Sequence, residues 1–246
     1  MQSALVLTLT NLATIAKLGP FVRAWCSGLL KRYPFFLSMT ALSFFVTVPL
    51  LIGRSDLYPK VWAAARWPAT LLRSAAAIEA FWILAGHFRG IHNFARWLIA
   101  IILAVSAGAA TSLGFFRVPW NDPLHDPLFF DQYTNLWLVL TALVSLAFFR
   151  QFSKIPIRPN AARHLVLLAF LFGSNFVGLS LGLESAGKWK YASSLVIVVG
   201  GILAFAAWVL LMNRKGEQLP FEPPPPMSPG DFDDAERRNK RSVERI

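Results

Sequence analysis

Tyr191-Ala192-Ser193-Ser194-Leu195-Val196-Ile197-Val198-Val199-Gly200-Gly201-Ile202-Leu203-Ala204-Phe205-Ala206-Ala207-Trp208-Val209-Leu210-Leu211-Met212 holds no formal charge. As a helix rising 1.5 Å per residue it is long enough to cross the roughly 30 Å of hydrocarbon in a bilayer. Six more apolar stretches precede it, at about 4–30, 35–52, 61–86, 97–116, 133–149 and 165–183. With 55% hydrophobic and 15% charged residues in a chain of 246, the apolar surface exceeds what one soluble core can hide. In lipid no backbone polar group can stay unpaired, so spans are helices or a closed barrel, and runs without period-two alternation select helices. The expected fold is all-α: a polytopic transmembrane bundle over residues 1–215, followed by a largely disordered tail over 216–246. Seven spans are expected, or six if the first stretch lies in the interface, because Lys17, Gly19-Pro20 and Arg23 interrupt it.

A net charge of +11 would point to nucleic acid in a soluble protein. Here the cations gather at segment ends, where they meet lipid phosphates, and no nucleic-acid partner is expected. With the N-terminus outside, the inner joints hold ten Lys and Arg residues against six in the outer joints, which favours an N-out, C-in topology. Tyr33, Tyr58, Tyr133 and Tyr191 all fall at segment edges, where their hydroxyls reach the headgroups. No basic region precedes the first apolar run, so that run reads as retained and not as a cleaved leader. The single Cys26 cannot form an internal disulfide.

Few residues could carry chemistry. Glu79 is the one carboxylate deep in an apolar segment, so it should face the bundle interior and find a partner there, with Asn175 or Thr141 as plausible neighbours. Arg73 lies six positions earlier, about 240° around the helix, which makes a direct pair with Glu79 awkward and leaves it a structural or anionic-ligand contact. Arg66, seven residues before Arg73, reads as an interfacial anchor. Glu79, Arg73 and Asn175 are therefore the ligand or proton candidates. Ser174, Gly178 and Gly182 recur every four residues on one face, with Gly200 and Ala204 in the seventh segment and Ala110 and Gly114 in the fourth, as close helix packing requires.

His87, His92 and His164 invite a haem or metal reading, but end-of-helix hydrogen bonding accounts for them, and no CxxCH motif is present. The joint from Asn121 to Pro127, followed by Asp131, gathers three carboxylates and an imidazole, yet lacks the alternating ligands and glycine of a calcium loop and reads as a turn. With no HExxH, GxSxG, P-loop or GxGxxG present, the established hydrolase, ATPase and dinucleotide routes lack support, no metal, cofactor or catalytic residue is expected, and an enzyme is the less expected reading. In the tail, Pro220, Pro223 to Pro226 and Pro229 form an extended linker, and the charged stretch from Asp231 has balanced signs.

Lys31-Arg32-Tyr33-Pro34-Phe35-Phe36, the helix holding Ile78-Glu79 and the seven-segment layout resemble uncharacterised seven-helix membrane proteins of acidobacterial genomes. Those proteins are richer in acidic residues early in the third helix, where this chain has Arg66. The resemblance implies a multi-pass protein of the bacterial inner membrane and no particular activity. The function expected first is a ligand-binding, sensory or accessory membrane module. A small-solute or ion-coupled transporter using Glu79 is the alternative, and a structural subunit of a membrane complex the third. Lipid, and a membrane-protein partner or a second copy, are the partners these readings imply.

Overall fold

The computed structural model describes residues 2–85, 127–151, 158–184 and 189–218, with helical positions 97, 100–105, 108 and 112 between them. His87, His92, Ala110, Gly114, most of the fourth apolar stretch, residues 121–126 and the tail from 219 onward lie outside the described residues.

The regular elements among the described residues are helices, with no strand. They are α1 (Gln2–Ala16), α2 (Gly19–Ser27), α3 (Pro34–Leu51), α4 (Tyr58–Ala85), α5 (Pro127–Gln151), α6 (Pro159–Glu184), α7 (Lys190–Leu211) and a short 3-10 turn, Lys215–Glu217. Four candidate spans are long and apolar enough to cross a membrane: Leu5–Ser27, Pro34–Leu51, Pro159–Leu183 and Lys190–Leu211. α4 and α5 reach 28 and 25 residues but carry Lys60, Arg66, Arg73 and Glu79, and Asp131, Gln132 and Asn135. Several of these polar residues line the bundle interior.

The first apolar stretch runs as two helices, α1 and α2, joined by a turn at Lys17 and Leu18. Pro20 has no N–H to offer the Ala16 carbonyl, which releases the helix at that point. Gly19 lets the joint press against α7, since a Cβ there would stand 2.9 Å from Val209 Cγ2. α2 then closes at Gly28, whose left-handed φ of 67° suits glycine.

α6 sits between α5 and α7, α3 pairs with α4, α1 packs on α7 and α3, and α4 reaches α5 and α6. Phe81, Leu138, Leu165, Leu168, Phe172 and Trp208 are fully buried at the centre. Along the α6–α7 seam Ser174 meets Gly200, Gly178 meets Ile197 and the Ser193 carbonyl, and a Cβ on Gly182 would stand 2.9 Å from Ser193 Oγ. The close approach of the two backbones follows from these small residues, because lipid gives helices no hydrophobic reason to associate and contact area has to supply it.

Candidate ligand-binding site

Arg66, Ala69 and Arg73 recur at helical spacing on one face of α4, and Asp131 and Asn135 on one face of α5. Both faces turn toward a partly open cavity of about 630 Å³ lined by α1 and α3 to α7. Arg73 Nη1 lies 3.6 Å from Asp131 Oδ1, with both side chains largely buried. Asn135 Nδ2 donates to the Asp131 backbone carbonyl at 2.7 Å. Asn175 on α6 and Tyr58 on α4 also line the space.

Lys17 enters from the turn between α1 and α2. Its ammonium donates to the Ser43 carbonyl at 3.0 Å and to Thr47 Oγ1 at 3.1 Å, both on α3. The interruption in the first stretch thus serves to place a cation inside the bundle. The hydroxyls of Thr10, Thr14 and Thr47 donate to carbonyls four residues back, and Ser194 does the same at 3.0 Å. They are engaged as helix bonds and not poised as nucleophiles. No group of three or more His, Cys, Asp or Glu residues that could hold a metal occurs among the described residues.

Arg73 and Asn175 share this cavity, whereas Glu79 sits apart from it. Six residues beyond Arg73, Glu79 faces the start of α3, where Oε2 accepts the Phe35 N–H at 2.6 Å and Oε1 the Phe36 N–H at 3.2 Å. The first four N–H groups of a helix lack intrahelical partners. Here Pro34 has none to offer, and Glu79 takes the next two. Neither Asn175 nor Thr141 is its partner: the Thr141 hydroxyl donates to the Trp137 carbonyl at 2.9 Å. The stretches 31–36 and 78–79 therefore meet in space. A second cavity of about 790 Å³ opens beside Glu79, lined by Lys31, Arg32, Phe35, Trp82 and Arg158 among others.

The same end of the bundle holds a lock that sequence reading missed. Glu217 Oε1 accepts from the Tyr33 hydroxyl at 2.6 Å and from Asn160 Nδ2 at 2.8 Å. Its Oε2 lies 3.4 Å from Arg32 Nε and 3.8 Å from Arg158 Nη1. Burial, and then the hydrogen bond to Glu217, push the Tyr33 phenol far above its ordinary value. The carbonyls that end α7 are also satisfied by side chains: Leu211 by Arg163, Met212 by Arg23 and Asn213 by Asn160. Gly216 and Glu217, assigned to the tail on sequence, are thus packed onto the bundle. His164 is buried next to them, its Nδ1 accepting from Trp208 Nε1 at 3.1 Å and its ring edge-on to Tyr33 and Phe36. That aromatic cluster lines neither cavity.

No family model, curated protein or solved structure matches the chain.

Proposed function

We propose that this chain is a multi-pass protein of the bacterial inner membrane, with seven spans and N-out, C-in topology, that acts as a ligand-binding or sensory module. The observation that carries this reading is the cavity around Arg73, Asp131, Lys17 and Asn175, a volume typical of small-ligand sites. Ionisable groups within a membrane bundle are costly and mark functional positions. α4 carries both Arg73 in the cavity and Glu79 at the start of α3. A ligand that prefers one position of α4 would therefore shift the α3 terminus and the inner face, in proportion to its differential affinity for the two positions. The excess of Lys and Arg in the inner joints supports the orientation.

A carrier is the second reading. The interruption at Lys17 and Leu18 favours it, since broken helices are where transporters expose backbone groups to substrate. In that reading Arg73 and Asp131 replace Glu79 as the working groups, because both Glu79 oxygens are occupied in capping.

The test is cysteine access in a Cys26→Ser background. Ala69→Cys, on the cavity wall, should react with N-ethylmaleimide in native membranes, and Gly201→Leu should slow that reaction by filling the space. An unreactive Ala69→Cys, or a rate indifferent to Gly201→Leu, would remove the cavity as a ligand site. A reporter fused after Ile246 should be active in the cytoplasm, and periplasmic activity would reverse the topology. Substrate flux in proteoliposomes would move the protein from sensor to carrier.

A further inference from the structure

We propose that the cavity takes a single-chain amphiphile with an anionic head, a carboxylate or a phosphate, and an apolar tail. This rests on the cavity being the ligand site. Among its described lining residues Lys17 and Arg73 bring cationic groups to the cavity, and Asp131 is the carboxylate beside them. Cations held inside a membrane bundle are expensive, and an entering anion offsets part of that cost.

Donors remain to hold such a head. Arg73 Nη1 is buried without a hydrogen-bond partner, and its 3.6 Å separation from Asp131 is too long to count as one. Its planar fork suits the two oxygens of a carboxylate or phosphate. Lys17 has three N–H groups and gives two of them to Ser43 and Thr47.

Much of the remaining wall is apolar, with Val46, Leu50, Leu179, Val198 and Phe205 among its members, and the hydroxyls of Thr10, Thr14 and Thr47 in it are already bonded within their own helices. An inorganic anion would leave that apolar surface facing an empty space, and an uncharged chain would leave the spare N–H groups of Arg73 and Lys17 without an acceptor. A head joined to one tail answers both. The cavity volume of about 630 Å³ suits one chain and not the pair of a membrane phospholipid.

The experiment uses the full chain in phosphatidylcholine nanodiscs, photolabelled with diazirine-bearing dodecanoic acid or the matching dodecanol, with adducts mapped by peptide mass spectrometry. Dodecanoic acid should label cavity peptides about tenfold more than the alcohol, the worth of one charge-assisted hydrogen bond. Dodecanoate or dodecyl phosphate should compete, while acetate, inorganic phosphate and phosphatidic acid should not. Arg73→Gln should bring acid labelling down to the alcohol level. Because that change also strips Asp131 of its partner, Lys17→Gln provides a second variant, in which the ratio of acid to alcohol labelling should fall.

Equal labelling by acid and alcohol, both blocked by Gly201→Leu, would overturn the anionic head and leave the cavity reading standing. Competition by acetate or phosphate would overturn the tail, and competition by phosphatidic acid the single chain. Labelling spread over the helix surfaces and indifferent to Gly201→Leu would overturn the cavity reading together with the proposal.

Discussion

Glu79 on α4 caps Phe35 on α3, a residue 44 positions earlier, through a 2.6 Å bond from backbone N–H to carboxylate, and the Phe36 N–H completes a two-pronged contact. The carboxylate sits at the N-terminus of α3, where the helix presents N–H groups that have no intrahelical partner. Glu79→Gln offers one acceptor where two are used and turns an N–H toward a backbone donor, so it should cost about 1–2 kcal/mol. Glu79→Leu leaves both donors without an acceptor and should cost about 1–3 kcal/mol for each of them. Thermal unfolding in a non-ionic detergent should rank the proteins Glu79, then Gln, then Leu. A Gln variant as stable as the parent but functionally dead would return Glu79 to a proton-carrying role.

The helices were legible in the sequence because span length and the spacing of small residues are local properties. Ser174, Gly178 and Gly182 advertise a packing face without reference to anything distant. The partners of charged residues are not local, and there sequence reading lost its grip. Glu79 binds backbone, which leaves no signature in side-chain identity. Asp131, the partner of Arg73, looked like the end of an acidic turn, when its spacing of four from Asn135 placed both on one helix face. Glu217 fell where hydropathy drops and was assigned to the tail, although its neighbours come from residues 32, 33, 158 and 160. Lys17 was recognised as an interruption. The pair that would have explained it, Ser43 and Thr47, stands four apart on α3 and could have been found by asking which helix offers oxygen atoms at that spacing.

The bond from Tyr33 to Glu217 has a pH signature. A phenol whose value is raised in the folded protein contributes stability that is fully present below its unfolded value, near 10, and is lost as pH rises beyond it. Detergent-solubilised protein should therefore lose thermal stability above about pH 10, and Tyr33→Phe should flatten that part of the curve while lowering stability at neutral pH. An identical alkaline slope in Tyr33→Phe would show that other groups govern it.

Truncation should divide sharply within two residues. A chain ending at Gln218 keeps the Glu217 lock and should insert and unfold like the full-length protein. A chain ending at Gly216 leaves the Tyr33 hydroxyl and Asn160 Nδ2 without their acceptor, and Arg32 and Arg158 without a counter-charge. Each buried polar group so abandoned costs about 1–3 kcal/mol, so the shorter chain should show a clear drop in thermal stability. Glu217→Ala in the full-length chain should reproduce that drop. Equal stability of the two truncations would mean that the lock contributes nothing to the fold.

Two glycine substitutions should have opposite effects. At Gly178 a Cβ would run into Ile197 and stand 3.0 Å from the Ser193 carbonyl, a backbone atom that cannot swing aside. Gly178→Leu must therefore push α6 and α7 apart along their length, at a cost of about 3 kcal/mol or more. At Gly201, on α7 and on the cavity wall, a Cβ meets nothing within 4 Å. Gly201→Leu should then leave unfolding unchanged, or raise stability by up to about 1 kcal/mol through better helix propensity. Thermal unfolding of the two variants under one detergent condition separates the effects. If Gly201→Leu destabilised as much as Gly178→Leu, the space around Arg73 would be filled by packing, and with it would go the room for any ligand.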